Sequence, residues 1–568
     1  MKNQRGITLI ALVVTIVILI ILAGVAINLS VGENGLITKA LSSKDKNRIA
    51  LLEEEKDLWK LNKSMDNHTN DSTAQSLEDF VTKLQEKGLI TQEEKKEILS
   101  TGQVTIGNKN IVFEEYIYIS NKKELEDFRD NVNQGYTYEN QTVVLLNDID
   151  LDGKESDSST WWTPIGINES ITSFEGTFDG NNYSITNMYS EVTEGFTFAA
   201  FFSCIKNATI KNLTVEGEIV AGAMSSEEDN HTAAGIVGVS FGNCQIINCT
   251  NKTDISKESA NRETGGILGC VEHESDTAIY NCTNEGTISG GNACGGLVGS
   301  VYGSLTVKDS YNEGNVGILY SKYVGGLVGR SLESSTSVKI YNSYNKGTIT
   351  SVSYAAGVLA HVAGESLLID NCYNEGTINL INRTGWGYAG GIIGRNLVNC
   401  SEAIIINSYN TKNINITEET KKVILGGIVG ETCSNSASIV NCYNLGDLEA
   451  DRTSGICGTV SGSTGATPNL NIANSYNKGT ITGREYSSGI VRVHISTATI
   501  NIQNTYYLDT TASVGVQNTG SDDATPLTET YMMSKEFTND LNSNLLNLDI
   551  QFQLNTWKYV ENNYPIFE

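Results

Sequence analysis

The stretch NSYNKGTI, residues 342–349, decides the fold, because closely similar stretches return along most of the chain. A second block alternates with it and reads Gly-Gly, two apolar residues and Gly, as in GGLVG at 325–329. The blocks recur about every 30 to 36 residues, a period typical of solenoids and propellers. The sequence therefore describes a repeat array.

Both blocks have many copies. Copies of the first begin at Asn281, Asp309, Asn371, Asn441 and Asn474, with weaker ones at Asn248 and Asn407. Copies of the second begin at Gly265, Gly295, Gly390 and Gly426, with looser ones at Ala234, Ala356, Ser454 and Ser488. Each unit offers short strands separated by Gly and Asn, and helical periodicity is absent, which excludes helical repeats.

The pattern predicts a mainly β fold. We expect a right-handed parallel β-solenoid of about ten coils, each with three short strands, preceded by a long N-terminal helix and a small α/β region. A β-propeller is the alternative, but its blades need four strands and about 40 residues or more.

The position before the tyrosine of the first block is predicted to face the core. It holds Leu213 in an early unit and then small residues: Cys249, Cys282, Ser343, Cys372 and Cys442. Apolar residues lie three positions earlier, at Ile210, Ile340 and Ile369, which places Asn at a corner between two inward residues. Cys packs well as a small buried residue, so we expect reduced thiols. Cys249 and Cys282 are the pair most able to form a disulfide.

The next residue is then predicted to point outward. It is tyrosine in six units: Tyr311, Tyr344, Tyr373, Tyr409, Tyr443 and Tyr476. In register, these side chains would stack into an external aromatic column. Such a column either stabilises the coils by self-stacking or binds sugar rings or a partner protein.

The N-terminal segment is the longest apolar run. From Ile7 to Leu29 only Thr8, Thr15 and Asn28 interrupt it, and Lys2 and Arg5 precede it. About 20 apolar residues span a bilayer as a helix, and retained positive charge places the rest of the chain outside. The prediction is a single-pass membrane protein with its C-terminal bulk extracellular; an uncleaved anchor is one alternative.

Gly6-Ile7-Thr8-Leu9-Ile10 resembles the type IV prepilin motif. The resemblance implies that prepilin peptidase cuts between Gly6 and Ile7, that the new terminus is methylated, and that the helix assembles with other pilin subunits. Most pilins have Glu at the fifth mature position, whereas this chain has Ala11. That departure suggests a subunit that starts or caps a surface pilus, or one that stays in the membrane.

From about Tyr116 onward the chain resembles GLUG-motif repeat domains, through its Gly-Leu-apolar-Gly blocks and an entry stretch, FEGTFDGN at 174–181. The resemblance implies caps at both ends, which an open sheet edge requires. The predicted organisation is a leader at 1–6, a membrane or assembly helix at 7–29, a helix extension at 30–63, a small α/β pilin-like region at 64–115, an N-terminal cap at 116–173, repeats at 174–507 and a C-terminal cap at 508–568.

The chemistry that the sequence predicts is limited. A net charge of −27 argues against nucleic-acid binding. The 11 cysteines include no Cys-x-x-Cys, so no metal site is predicted from them. Asp148, Asp150 and Asp152 resemble the start of a calcium loop, but the twelfth position is Ser159. No catalytic residue and no cofactor is predicted.

Three functions follow from these features. The first is a non-enzymatic, pilin-like surface protein whose solenoid binds a glycan or protein ligand, as an adhesin or minor tip pilin. The second is an envelope-anchored enzyme acting on polysaccharides, which would need an acid pair brought together by the fold. The third is a structural stalk.

Overall fold

The structure, a computed structural model, describes residues 36–69, 77–113, 115–167, 172–191, 198–221, 232–257, 263–332, 336–381, 385–396, 400–417, 422–462, 467–518, 523–548 and 550–568. These form two compact units. The first comprises residues up to Tyr118 together with Asn140–Thr142, and the second comprises Ile119–Glu139 and Val143–Glu568.

The first unit is a small α/β region. It contains helices Leu36–Thr69, Leu77–Glu86 and Gln92–Thr101, the antiparallel strands Gln103–Ile106 and Lys109–Val112, and the start of strand Glu115–Ile119. Its core includes Trp59, which stacks on Phe80 with ring centroids 4.7 Å apart. The first helix continues to Thr69, past residue 63, where the predicted helix extension ends. None of the helices in the described ranges is long and apolar enough to cross a membrane.

The second unit is a parallel β-solenoid of about ten coils, whose strands pair with the equivalent strands of the next coil. Tyr344, for example, pairs in parallel with Tyr373. This confirms the predicted fold class and excludes the propeller. Each coil contributes strands to four faces rather than the predicted three, because the Gly-Gly block adds a corner. Handedness stays a prediction.

The four faces are named A to D in chain order within a coil. Face A contains Gln141–Leu145, Thr177–Asp179, Thr209–Lys211, Asn243–Ile247, Asp276–Tyr280, Ser304–Lys308, Ser337–Tyr341, Ser366–Asp370, Glu402–Ile406, Ser436–Val440, Asn469–Ala473 and Thr499–Gln503. Face B contains Ile149–Asp150, Ser184–Glu191, Thr214–Ala221, Thr250–Lys257, Thr283–Asn284, Ile288–Ser289, Tyr311–Asn312, Tyr344–Asn345, Tyr373–Asn374, Tyr409–Asn410, Tyr443–Asn444, Tyr476–Asn477, Tyr506–Leu508 and Thr525–Leu527.

Face C contains Phe198–Ala199, Thr232–Ala234, Glu263–Gly265, Ala293–Gly295, Tyr323–Gly325, Ile349–Ser351, Tyr354–Ala356, Ile378–Leu380, Gly387–Gly390, Ile414–Ile416, Val423–Gly426, Leu448–Ser454 and Ile481–Ser488. Face D contains Phe202–Lys206, Val237–Phe241, Leu268–Val271, Val298–Val301, Val328–Ser331, Leu359–Val362, Ile393–Asn396, Val429–Thr432, Cys457–Val460, Val491–Val493 and Val516–Gln517.

The repeated glycines allow the coils to approach closely between faces C and D. A Cβ on Gly326 would lie 2.1 Å from the carbonyl oxygen of Gly357 in the next coil. No side chain fits at that distance, so the Gly-Gly block is a steric requirement of coil stacking.

Both ends of the repeats carry extra elements. Near the N-terminal end lie helix Lys122–Asn133, which buries Leu125, Phe128 and Val132, and the 3₁₀ turn Ser158–Thr160. The C-terminal cap contains helices Glu529–Met532 and Lys535–Leu545 and the antiparallel strands Trp557–Lys558 and Ile566–Phe567. These elements lie within the ranges predicted for the two caps, 116–173 and 508–568.

Candidate functional site

The predicted tyrosine column forms on face B. Successive ring centroids lie 4.8, 4.7, 4.8, 4.7 and 5.3 Å apart, and the rings are within 10° of parallel. The column contains, in order, Tyr311, Tyr344, Tyr373, Tyr409, Tyr443 and Tyr476. Because the rings stack along the solenoid axis, they cover one another's faces. The column therefore presents mainly ring edges and phenol hydroxyls to its surroundings.

Two rows of asparagine flank each tyrosine and fix its position. The corner residue two positions before it, such as Asn342, has a φ of 48°, a left-handed conformation that Asn tolerates well. The residue after it, such as Asn345, is fully buried. Asn345 donates hydrogen bonds to the carbonyl of Gly347 (2.9 Å) and to Oδ1 of Asn374 in the next coil (2.8 Å). This inner row continues from Asn251 to Asn477.

The position before the tyrosine is buried, as predicted. All eleven cysteines are buried thiols outside disulfides, including Cys249 and Cys282. Burial raises the pKa of Cys372 and Cys442, the latter to about 12, so these thiols stay protonated. They act as packing residues in this structure.

The tyrosine column has two environments. Tyr311, Tyr344, Tyr373 and Tyr409 are half-buried, whereas Tyr443 and Tyr476 are buried under the C-terminal cap. The expectation that all six point to solvent is therefore wrong for the last two. The cap covers them because its aromatic residues extend alongside face B.

Contacts with the cap show how this covering is made. Phe567 meets Tyr443 edge-on at 5.3 Å, and Trp557 lies 5.6 Å from the rings of both Tyr443 and Tyr476. The hydroxyl of Tyr476 donates a hydrogen bond to the carbonyl of Pro565. Burial raises the pKa of Tyr476 well above its ordinary value and raises that of half-buried Tyr373 to about 12.

The structure does not bring the three candidate calcium ligands together. Asp150 Oδ1 accepts hydrogen bonds from Asn187 Nδ2 (2.9 Å) and from the Asp152 backbone (2.8 Å), which lowers the pKa of Asp150. Asp148 Oδ1 accepts one from the Ser184 backbone (2.8 Å), and Asp152 pairs with Lys154. Within the described ranges, no three His, Cys, Asp or Glu side chains are grouped to hold a metal ion.

A second aromatic column lies beside the Gly-Gly corner, between faces C and D, and was not predicted. Tyr323, Tyr354 and Tyr388 stack at 4.8 and 5.5 Å. Each is opposed, seven residues later in the chain, by Arg330, His361 or Arg395. The tyrosines lie on face C and their three partners on face D, so the two rows meet beside the corner that joins these faces. We call this line of residues, continued by Trp386, Arg452, Tyr486 and Arg492, the arginine–tyrosine seam.

The middle of the seam contains paired charges. Arg330 Nη2 contacts Glu263 Oε1 at 2.7 Å, and Tyr302 donates to the same oxygen at 3.0 Å. Arg395 pairs with Glu431, which also accepts a hydrogen bond from Ser461 at 2.7 Å.

His361 lies among these charges and meets the rings of both Tyr323 and Tyr354 edge-on, with centroids 4.9 and 5.2 Å away. Burial, together with Arg395, Arg330 and Lys322, lowers its pKa to about 3. The imidazole is therefore neutral at physiological pH. The Tyr-x₆-Arg/His spacing was the available signal for the seam, but it is informative only once the coils are aligned.

Comparisons with known proteins match the N-terminal segment to a family model and about a third of the chain to individual proteins. Residues 1–27 match the family model for the prokaryotic N-terminal methylation motif. A protein of Evansella cellulosilytica, named as a Gly-rich membrane protein, is 26% identical over 181 residues, which are 32% of this chain and 19% of that protein. An immunoglobulin A1 protease of Streptococcus sanguinis is 30% identical over 193 residues, 33% of this chain and 9% of the protease.

Among solved structures, a Bacteroides ovatus protein named as an immunoglobulin A1 protease aligns with 80% of this chain and 92% of its own, at 15% identity and a TM-score of 0.30. The chain thus spans less than a fifth of each curated relative. It carries a prepilin-like methylation motif at its N-terminus. Gly6, Ile7, Ala11 and the predicted membrane helix at 7–29 lie outside the described residues. The GLUG resemblance stays a prediction.

Proposed function

We propose that this chain is a non-enzymatic, pilin-like protein of the cell surface whose solenoid binds a glycan or protein ligand through the half-buried part of the tyrosine column. The observation that carries the proposal is the continuous row of phenol edges and hydroxyls from Tyr311 to Tyr409. The rings are held in register by buried asparagines and need no rearrangement before binding, which lowers the entropic cost of association.

The stacking geometry limits the kind of contact that the tyrosine column can make with a ligand. Stacked rings cannot sandwich a sugar, because their faces are already used. Hydroxyls repeated at about the 4.8 Å strand spacing can instead donate to and accept from an extended ligand that lies along the solenoid. The ligand is therefore expected to bind through hydrogen bonds rather than by stacking.

The test uses the full-length chain in detergent on arrays of glycans and extracellular matrix proteins. A Tyr344→Phe/Tyr373→Phe variant keeps both rings and removes both hydroxyls. We expect at least about a tenfold loss of binding with an unchanged melting temperature, since each hydrogen bond contributes about 0.5–1.5 kcal/mol. Tyr320→Phe is the matched control, because Tyr320 is exposed and lies outside the column. Unchanged binding by the double variant would refute the assignment.

The envelope association rests on the methylation motif at residues 1–27 and on the apolar run behind Lys2 and Arg5. We propose that prepilin peptidase processes the chain at Gly6–Ile7. Mass spectrometry of the mature protein should find N-methylated Ile7 at the terminus. Retention of Met1 would contradict processing. Ala11→Glu then tests assembly, because greater incorporation into filaments would show that Ala11 limits it.

The name of the Streptococcus relative raises a specific alternative. The shared segment is 9% of that protease, so we do not carry its activity over to this chain. Incubation of full-length protein with immunoglobulin A1 should leave the antibody intact. Cleavage by the purified chain would contradict the non-enzymatic proposal.

A further inference from the structure

We infer that the C-terminal end of the arginine–tyrosine seam is a second binding site, independent of the tyrosine column, which takes the carboxylates of an acidic sugar polymer. The residues that form it are Trp386, Arg452, Tyr486 and Arg492. The inference depends on a buried guanidinium, two of whose nitrogen atoms have no hydrogen-bond partner.

Arg492 is the central observation. Its side chain is only 4% exposed, and its Nε and Nη1 atoms have no hydrogen-bond partner. The guanidinium lies 4.1 Å from the ring centroid of Tyr486. Leaving buried donors unpaired is costly, and a charged group raises that cost. A bound carboxylate would satisfy both donors through the fork-shaped geometry that guanidinium and carboxylate share.

Arg492 differs from the two partly buried arginines in the middle of the seam. Arg330 and Arg395 each have a buried carboxylate as partner, Glu263 and Glu431 respectively. Within the described residues, the arginines in the middle of the seam each pair with a carboxylate, whereas Arg492 forms no ion pair. The missing counterion is what an external anion would supply.

The groups around Arg492 suit a ligand that both donates and accepts hydrogen bonds. In the adjacent strands, Thr459 Oγ1 and Gln517 Oε1 are also buried without a partner. A sugar ring carries hydroxyl groups for such atoms as well as a carboxylate for the arginine. Poly-glutamate carries carboxylates as well, but it has no hydroxyl groups.

Local charge also favours an anion. Arg452 lies 4.4 Å from the Trp386 ring centroid and 5.6 Å from that of Tyr486, close to Arg492. Its own partner, Glu485, is about half exposed and contacts Nε at 3.0 Å. Arg452 and Arg492 carry two positive charges, whereas Glu485 contributes one negative charge that solvent screens. The site is therefore positive, although the net charge of the chain is −27. The seam also runs along the coils, so a polymer could follow it.

The test measures binding of the full-length chain to polygalacturonate, alginate and hyaluronate, with methyl-esterified polygalacturonate and poly-glutamate as comparisons. We expect binding to at least one uronate polymer, which weakens with added salt. The methyl ester and poly-glutamate should bind at least about tenfold more weakly. Binding to none of the three uronates, or equal binding to poly-glutamate, would overturn the inference.

Arg492→Met provides the decisive variant, since methionine keeps the apolar stem and removes the unpaired donors. It should lose at least about tenfold in uronate affinity while its melting temperature stays the same or rises. A lower melting temperature would assign Arg492 a structural role, and unchanged affinity would exclude it from the site. Arg129→Met is the control, because Arg129 also lies over an aromatic ring, 5.0 Å from the centroid of Trp162, but is outside the seam. Tyr344→Phe/Tyr373→Phe should leave uronate binding unchanged, which separates this site from the proposed tyrosine surface.

Discussion

The two ends of the tyrosine column make the most informative comparison in this molecule. Tyr344 and Tyr476 follow the same motif, stack in the same way and precede the same buried asparagine. Yet Tyr344 is half-buried, while Tyr476 is fully buried and hydrogen-bonded to the cap. The repeat sets where each ring lies, and the neighbouring structure decides whether it can meet a ligand.

The same difference predicts which substitutions in the column affect folding stability and which affect ligand binding. Tyr443 and Tyr476 belong to a core with Met532, Phe537, Leu541 and Trp557. Of the half-buried tyrosines in the column, only Tyr409 packs against this core, with its ring 6.1 Å from that of Phe567. Substitutions at the covered end should therefore act on folding, and those at the other end on binding.

The largest effect is expected from Tyr476→Ala. Removing a fully buried ring leaves a cavity under the cap, so the free energy of unfolding should fall by about 3–5 kcal/mol. Tyr344→Ala should cost about 1 kcal/mol, because its ring is half-buried and loses mainly stacking. Urea denaturation of the two variants measures the contrast; equal losses would show that the cap does not distinguish the two ends.

The next largest effect should be the same at both ends. Asn374 follows Tyr373 in the sequence, and Asn444 follows Tyr443. Each asparagine donates 2.8 Å hydrogen bonds to a glycine carbonyl and to the asparagine of the next coil. Replacing either with Ala leaves buried groups unpaired and should cost about 2–4 kcal/mol. The denaturation midpoints should shift alike. A much smaller loss for Asn444→Ala would mean that the cap compensates for the inner row.

Alkaline pH should lower the stability of the folded protein, because the tyrosines of the column ionise. Burial raises the pKa of Tyr373 to about 12, above its ordinary value of 10.0, and also raises that of Tyr443. Above pH 10 the unfolded chain releases these protons and the folded chain keeps them. Stability is therefore intact below pH 10 and falls as pH rises from 10 to 12. Phenolate absorbance should show Tyr344 ionising before Tyr443 and Tyr476, because burial raises the pKa of the covered pair further, and single Phe variants can assign each transition.

The smallest effect is expected from Tyr311→Thr, at the start of the column. The preceding coil already has Thr283 at this position, paired in register with Tyr311. The change removes one stacking contact and should cost about 0.5–1 kcal/mol. A larger loss would mean that the column stabilises the coils cooperatively, which the shift in denaturation midpoint would reveal.

The sequence predicts those features of the fold that depend on local, repeated patterns. The period, the inward Cys and Ser, the Asn corner and the tyrosine register all follow from alternation within one unit. The covered end of the column was missed because Tyr476 and Pro565 are 89 residues apart and no repeat links them. The seam was missed because its partners meet only across a corner and between coils, as Arg330 and Glu263 do, 67 residues apart.

The central claim is that one continuous column has an accessible part and a covered part. Tyrosine nitration of the native full-length chain, mapped by mass spectrometry, tests it directly when the wild type is compared with Trp557→Ala. We expect modification of Tyr311, Tyr344, Tyr373 and Tyr409 in both proteins, and of Tyr443 and Tyr476 only when Trp557 is removed. Modification of Tyr476 as fast as Tyr344 in the wild type would contradict the account.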